Sequence, residues 1–112
     1  MTEKDLQNKI IKKLKSLEFS GKVLWWIRIP SFQIGNVRSG RAGLPDLLLI
    51  LRNNITGHAV VFIELKKPSD KELKIKDLPI EQEAFFVQMA CKGIRCEIIN
   101  SYDQFIDLIS KF

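Results

Sequence analysis

Apolar positions recur along this chain with two distinct periods, and the periods separate helices from strands. Leu6, Ile10, Leu14 and Leu17 return every three or four residues, which predicts an amphipathic helix over residues 3–17. Thr2 precedes it as an N-cap, and Asp5 stands where the acid of a capping box belongs. Lys4, Lys9, Lys12, Lys13 and Lys15 mostly cover its other faces, and Phe19-Ser20-Gly21 ends it on a glycine suited to a left-handed cap. Val23–Ile29 is rich in aromatic and β-branched residues and predicts a strand stopped by Pro30. Asp46–Leu51 reads DLLLIL, a buried strand, and Asn53-Asn54-Ile55-Thr56-Gly57 supplies turn chemistry before a third strand, Ala59–Lys66. Pro79 suits the first turn of a helix over about 79–92 that carries Phe85, Phe86, Met89 and Ala90 and ends at Gly93. Ile94–Ile99 is a fourth strand, and Ser101 caps a last helix with Phe105, Ile106, Leu108 and Ile109.

The predicted order is α-β-β-β-α-β-α, an α/β fold in a single domain over residues 1–112 without repeats or low-complexity tracts. Residues 31–45 read as a long loop, with Gly35, Gly40 and Gly43 and two arginines, Arg38 and Arg41; long loops inside compact domains are usually functional. Trp25 and Trp26 are adjacent in a strand and point to opposite faces, one into the core. The other tryptophan, with the apolar face of the last helix around Phe105 and Ile109, is a candidate surface for a second subunit.

Composition narrows the partners. Eighteen Lys and Arg against thirteen Asp and Glu leave a formal charge of +5, which favours a polyanion such as nucleic acid over an acidic surface. The plain alternative is that excess lysine keeps a small protein soluble. Cys91, Cys96 and His58 cannot form a zinc site of the usual four-ligand type. The cysteines read as small buried hydrophobes in a reducing compartment, and His58 as a surface or strand-edge residue. The charged start MTEKDLQNKI has no signal-type apolar run, and no segment approaches the roughly eighteen apolar residues of a membrane span. The expectation is a cytoplasmic protein without membrane association.

The chemistry sits in two strings. Pro45-Asp46 opens one apolar strand; after seventeen intervening residues Glu64-Leu65-Lys66 ends the next. Residues two apart on a strand share a face, so Glu64 and Lys66 project together while Leu65 enters the core. If the two strands form a hairpin through residues 52–57, Asp46 lies at the same end. Two carboxylates and an ammonium then share one pocket, an arrangement that can hold Mg²⁺ and assist phosphodiester hydrolysis. The alternative is an ordinary charged strand end meeting solvent. Glu3 shares a helix face with Gln7, Ile10 and Leu14, so it points toward the sheet from the helix end; otherwise it serves the helix dipole. Gln82 is an amide on the inner helix face and needs a partner there, such as Lys66 or water. Arg38 and Arg41 are candidate phosphate clamps, and Lys67, Lys71, Lys74 and Lys76 border the same end. No GK[ST] follows the glycines, so no nucleotide P-loop or nucleotide cofactor is expected.

Gly43-Leu44-Pro45-Asp46, then Phe62-Ile63-Glu64-Leu65-Lys66, then Glu81-Gln82 resembles the VRR-NUC family of the PD-(D/E)XK nuclease superfamily over nearly the whole chain. The resemblance implies an αβββαβ restriction-endonuclease-like core, with a mixed central sheet flanked by helices and here an extra C-terminal helix. It implies Mg²⁺ or Mn²⁺ dependence and DNA substrates. It places metal ligation on Asp46, Glu64, the Leu65 carbonyl and an acid of the first helix, Glu3, with Lys66 and Gln82 completing the site. Small stand-alone members resemble Holliday-junction resolvases, so branched DNA and a homodimer are expected. Two other classes remain: a non-catalytic DNA-binding or assembly module that kept the fold, and a protein-interaction domain with incidental basicity.

Overall fold

The computed structural model describes residues 1–30, 32–34, 37–39 and 43–112. Helix α1 spans Glu3–Ser20, with the Thr2–Asp5 capping box in place and Gly21 in the left-handed conformation at φ +85°. It runs three residues past the apolar spacing because Gly21, rather than Leu17, supplies the stop. Strand β1 (Val23–Arg28) is followed by a short antiparallel hairpin, β2 (Phe32–Ile34) and β3 (Val37–Ser39). This corrects the long-loop reading of residues 31–45. Phe32, Ile34 and Val37 flank a Gly-Asn pair, which is hairpin chemistry on a scale too short to register as a periodic segment. Strands β4 (Leu47–Asn53) and β5 (Gly57–Leu65), helix α2 (Ile80–Cys91), strand β6 (Arg95–Ile99) and helix α3 (Tyr102–Ser110) complete the order.

The four longer strands form one mixed sheet in the order β1-β4-β5-β6. β1, β4 and β5 pair antiparallel, whereas β6 lies parallel to β5 after the α2 crossover. The alternation of β4 assigns its two faces. Leu47, Leu49 and Leu51, with Val61, Ile63 and Leu65 of β5, are buried against Leu6, Ile10 and Leu14 of α1 and Phe105, Leu108 and Ile109 of α3. On the opposite face α2 sets Phe85 and Phe86 over Phe62, Cys96 and Ile98, with Phe62 and Phe85 edge to face at 5.2 Å.

Two surface expectations change. Phe105 and Ile109 are consumed by the chain's own core and do not present a docking face, because α3 lays Phe105, Leu108 and Ile109 on the sheet and leaves only Ile106 of its apolar residues exposed. Cys91 is exposed on α2 rather than buried, while Cys96 is half-buried and neither is disulfide-bonded. Trp26 packs against the core and Trp25 stays 46% exposed, as strand alternation requires. His58 is exposed at the start of β5. Among the described residues no helix is long and apolar enough to cross a membrane.

Candidate active site

The β4–β5 register brings the acids together. Leu47 pairs with Ile63, and one step farther along an antiparallel ladder Asp46 comes opposite Glu64. The Asp46 N–H donates to the Ile63 carbonyl at 3.0 Å, and the Asp46 carbonyl accepts from Ile29 N–H at 2.8 Å. Asp46 is thereby clamped by both neighbouring strands. Its carboxylate turns across β5, where Oδ2 accepts from Leu65 N–H at 2.7 Å. Glu64 and Lys66 follow Phe62 onto the face that α2 covers, while Leu65 is buried among the α1 and α3 side chains.

Burial sets the electrostatics. Glu64 is 4% exposed, and its Oε2 is buried without a hydrogen-bond partner. Removal from water pushes its carboxyl from the ordinary 4.5 up to about 8; a hydrogen bond and repulsion from Asp46 push the same way, Lys66 opposes, and Glu3 adds the smallest upward push. Lys66 Nζ stands 3.9 Å from Glu64 Oε1, too far for a tight pair, and donates to Gln82 Oε1 at 3.0 Å. Gln82 comes from α2, whose first turn meets the loop before β4. A Cβ on Gly43 would lie 2.3 Å from the Glu81 carbonyl oxygen, and Gly43 has φ +83°, so glycine is needed there on both counts. That close approach ties the Gln82 helix to the Asp46 strand.

Asp46, Glu64, Lys66 and Gln82 are therefore brought to one end of the sheet. Glu3 is exposed at the start of α1 and reaches Glu64 only through its field. Among the described residues no group of three or more His, Cys, Asp or Glu converges. Asp46 and Glu64 are the two acids that the described residues bring side by side, with the Leu65 carbonyl as the backbone candidate. The residues present suit a hard divalent ion: a buried, unpartnered carboxylate oxygen beside a second carboxylate is a donor set that such an ion satisfies. Lys67 and Lys71 are exposed on the segment leaving β5. Arg38 falls on β3, and Arg41 lies outside the described residues.

Two contributors were not singled out by sequence reasoning. Buried Asn100 at the end of β6 donates from Nδ2 to the carbonyls of Ser69 and Lys71, at 3.3 and 2.8 Å, and so shapes the basic segment after Lys66. A polar residue closing an apolar strand, Ile98-Ile99-Asn100, was its one visible signal. Arg28, at the end of β1, meets Gln7 of α1. With its amide oxygen facing the guanidinium, Gln7 accepts from Arg28 Nε at 3.1 Å and from Nη2 at 3.2 Å.

Neither a scan against protein-family models nor a search of curated proteins finds a match. Comparison with solved structures finds a chain described as a VRR_NUC domain, 22% identical, with a TM-score of 0.61, over 94% of this chain and 95% of that one. Coverage of that extent takes in the sheet and both of its helical layers, and the fold of this chain is that of a VRR_NUC domain.

Proposed function

We propose that the chain is a VRR-NUC family member and a deoxyribonuclease that hydrolyses phosphodiester bonds with Mg²⁺ or Mn²⁺. The observation that carries this reading is the buried Glu64 carboxylate, one oxygen of it unpartnered, beside Asp46 at the same strand end as a lysine held by an amide. A structural pair at a strand end would stay in solvent, where an ion pair costs little. Burying one acid against a second, half-buried one is unfavourable for the fold alone, and such strain clusters at functional sites.

Asp46 and Glu64, with the Leu65 carbonyl, would hold the ion, and Glu3 is the remaining candidate ligand. When bound, the ion supplies charge stabilisation to a phosphoryl oxygen and acidity to water. Lys66 has three N–H donors. One is spent on Gln82, and the side chain is 27% exposed, so the others remain open to water and to a phosphate oxygen. Gln82 fixes Nζ and leaves its charge intact, because an amide is neutral. Lys67, Lys71, Arg38 and Arg41 are assigned to DNA phosphates. Branched DNA is the proposed substrate class, acted on by a homodimer, with exposed Trp25 as a candidate contact.

The test is cleavage of labelled duplex, flap and four-way-junction DNA in Mg²⁺, Mn²⁺, Ca²⁺ or EDTA, with Asp46→Ala as control. Cleavage is expected in Mg²⁺ and Mn²⁺, poorly in Ca²⁺, and not at all in EDTA. Binding without cleavage in every metal supports a non-catalytic module instead. Light scattering with and without junction DNA tests the dimer, which a free mass near 12.9 kDa together with one chain per junction in the complex would remove.

A further inference from the structure

Arg28 closes β1 next to the Ile29 N–H that donates to the Asp46 carbonyl, so it stands at the carboxylate end of the sheet. Its pairing with Leu47 puts its side chain on the α1 side, whereas Glu64 lies on the α2 side. The guanidinium therefore shares the end of the sheet with the site but lies on its other face. It is exposed and yet held in place. An arginine is commonly oriented by a carboxylate, which cancels its charge. Here the partner is the neutral amide of Gln7, and among the described residues no carboxylate lies within ion-pair distance of Arg28. Gln7 takes the Nε and Nη2 edge of the fork. The other edge, Nη1 with the second Nη2 proton, is left for a ligand, and its geometry matches two oxygens of one phosphate. A strand of nucleic acid approaching two carboxylates is repelled by them, so an aimed cation at the same end of the sheet, without a carboxylate in ion-pair contact, has a definite use.

The geometry points to Arg28 as a clamp for a backbone phosphate of nucleic acid, with Gln7 as the positioning residue that aims it. The choice of ligand rests on the nuclease reading; the aimed guanidinium does not. Phosphate contact adds affinity without sequence preference and carries a signature in salt dependence.

The test measures binding of a fluorescein-labelled DNA duplex by anisotropy in EDTA across a salt series. It compares wild type with Arg28→Ala, Arg28→Lys, Gln7→Ala and Gln7→Glu, each checked for an unchanged melting curve. Arg28→Ala is expected to bind roughly tenfold more weakly at low salt and to flatten the log–log salt slope by about 0.9. Arg28→Lys should keep the slope and lose part of the affinity, because the charge stays and the fork is lost. Gln7→Glu should match Arg28→Ala, because a carboxylate cancels the charge in place; Gln7→Ala should keep the slope. A merely structural pair would not separate Gln7→Glu from Gln7→Ala in this way. Arg28→Ala with wild-type affinity and slope overturns the clamp and leaves the nuclease reading standing. Duplex binding with an Arg28-dependent slope, from a protein that never cleaves, upholds the clamp and removes the nuclease reading. A wild-type chain that does not bind duplex even at the lowest salt overturns the clamp, while the nuclease reading is decided separately by cleavage of the flap and four-way-junction DNAs.

Discussion

Glu64→Gln should make the metal-free protein more stable while destroying its activity. The substitution keeps the side chain's shape and removes its ability to ionise. In the folded chain burial and Asp46 hold the Glu64 carboxyl at about 8 against an ordinary 4.5. A raised folded pKa means that the folded state binds the proton more tightly. The stability this contributes is complete below pH 4.5 and is lost as pH rises through 8. Linkage acts at about 1.4 kcal/mol per pH unit, so roughly 3 kcal/mol has gone by pH 7 and nearly 5 kcal/mol well above pH 8. That is a large share of the 5–15 kcal/mol or so that a domain has in total. For a chain of this length it corresponds to roughly 10 °C in melting temperature. The assay is thermal unfolding of wild type and Glu64→Gln in EDTA from pH 5 to pH 9. The wild-type midpoint should fall across that range, the variant's should fall much less, and the two should approach each other near pH 5. Added Mg²⁺ should raise the wild-type midpoint and leave the variant unmoved, because an ion that binds the native state stabilises it by mass action. A variant that melts at or below wild type at pH 8 in EDTA would refute the burial argument.

Asp46→Ala and Lys66→Ala should each abolish cleavage, with no further loss in the double variant, because groups acting as a unit do not add. Asp46→Ala also leaves the Leu65 N–H without its acceptor, a cost of about 1–3 kcal/mol partly offset by relief of Glu64, and denaturant melts will read the net. Gln82→Ala frees the Lys66 ammonium and should lower kcat about 10–100-fold with little change in DNA affinity, which single-turnover kinetics and anisotropy separate. Gly43→Ala forces a left-handed residue and a contact with the Glu81 carbonyl; a loss of at least about 1–3 kcal/mol in unfolding experiments is expected, with reduced cleavage as α2 shifts from Asp46.

Local pattern determined more of this protein than its length suggests. The period of Leu6, Ile10 and Leu14, the Thr2–Asp5 box and the glycines after α1 and α2 act within a few residues of themselves, so the chain alone dictates those elements. The shared face of Glu64 and Lys66 is equally local, because strand alternation needs no partner. What the tertiary structure decided depends on contacts distant in sequence. Asp46 meets Glu64 through the β4–β5 register, Lys66 meets Gln82 through the packing of α2, and Arg28 meets Gln7 through the seating of α1. The same packing took Phe105 and Ile109 into the core and left Cys91 outside. Burial is the quantity no local pattern carries. A glutamate at a strand end is identical in sequence whether it faces water or a second carboxylate, and desolvation by the assembled layers is what pushes the Glu64 carboxyl up.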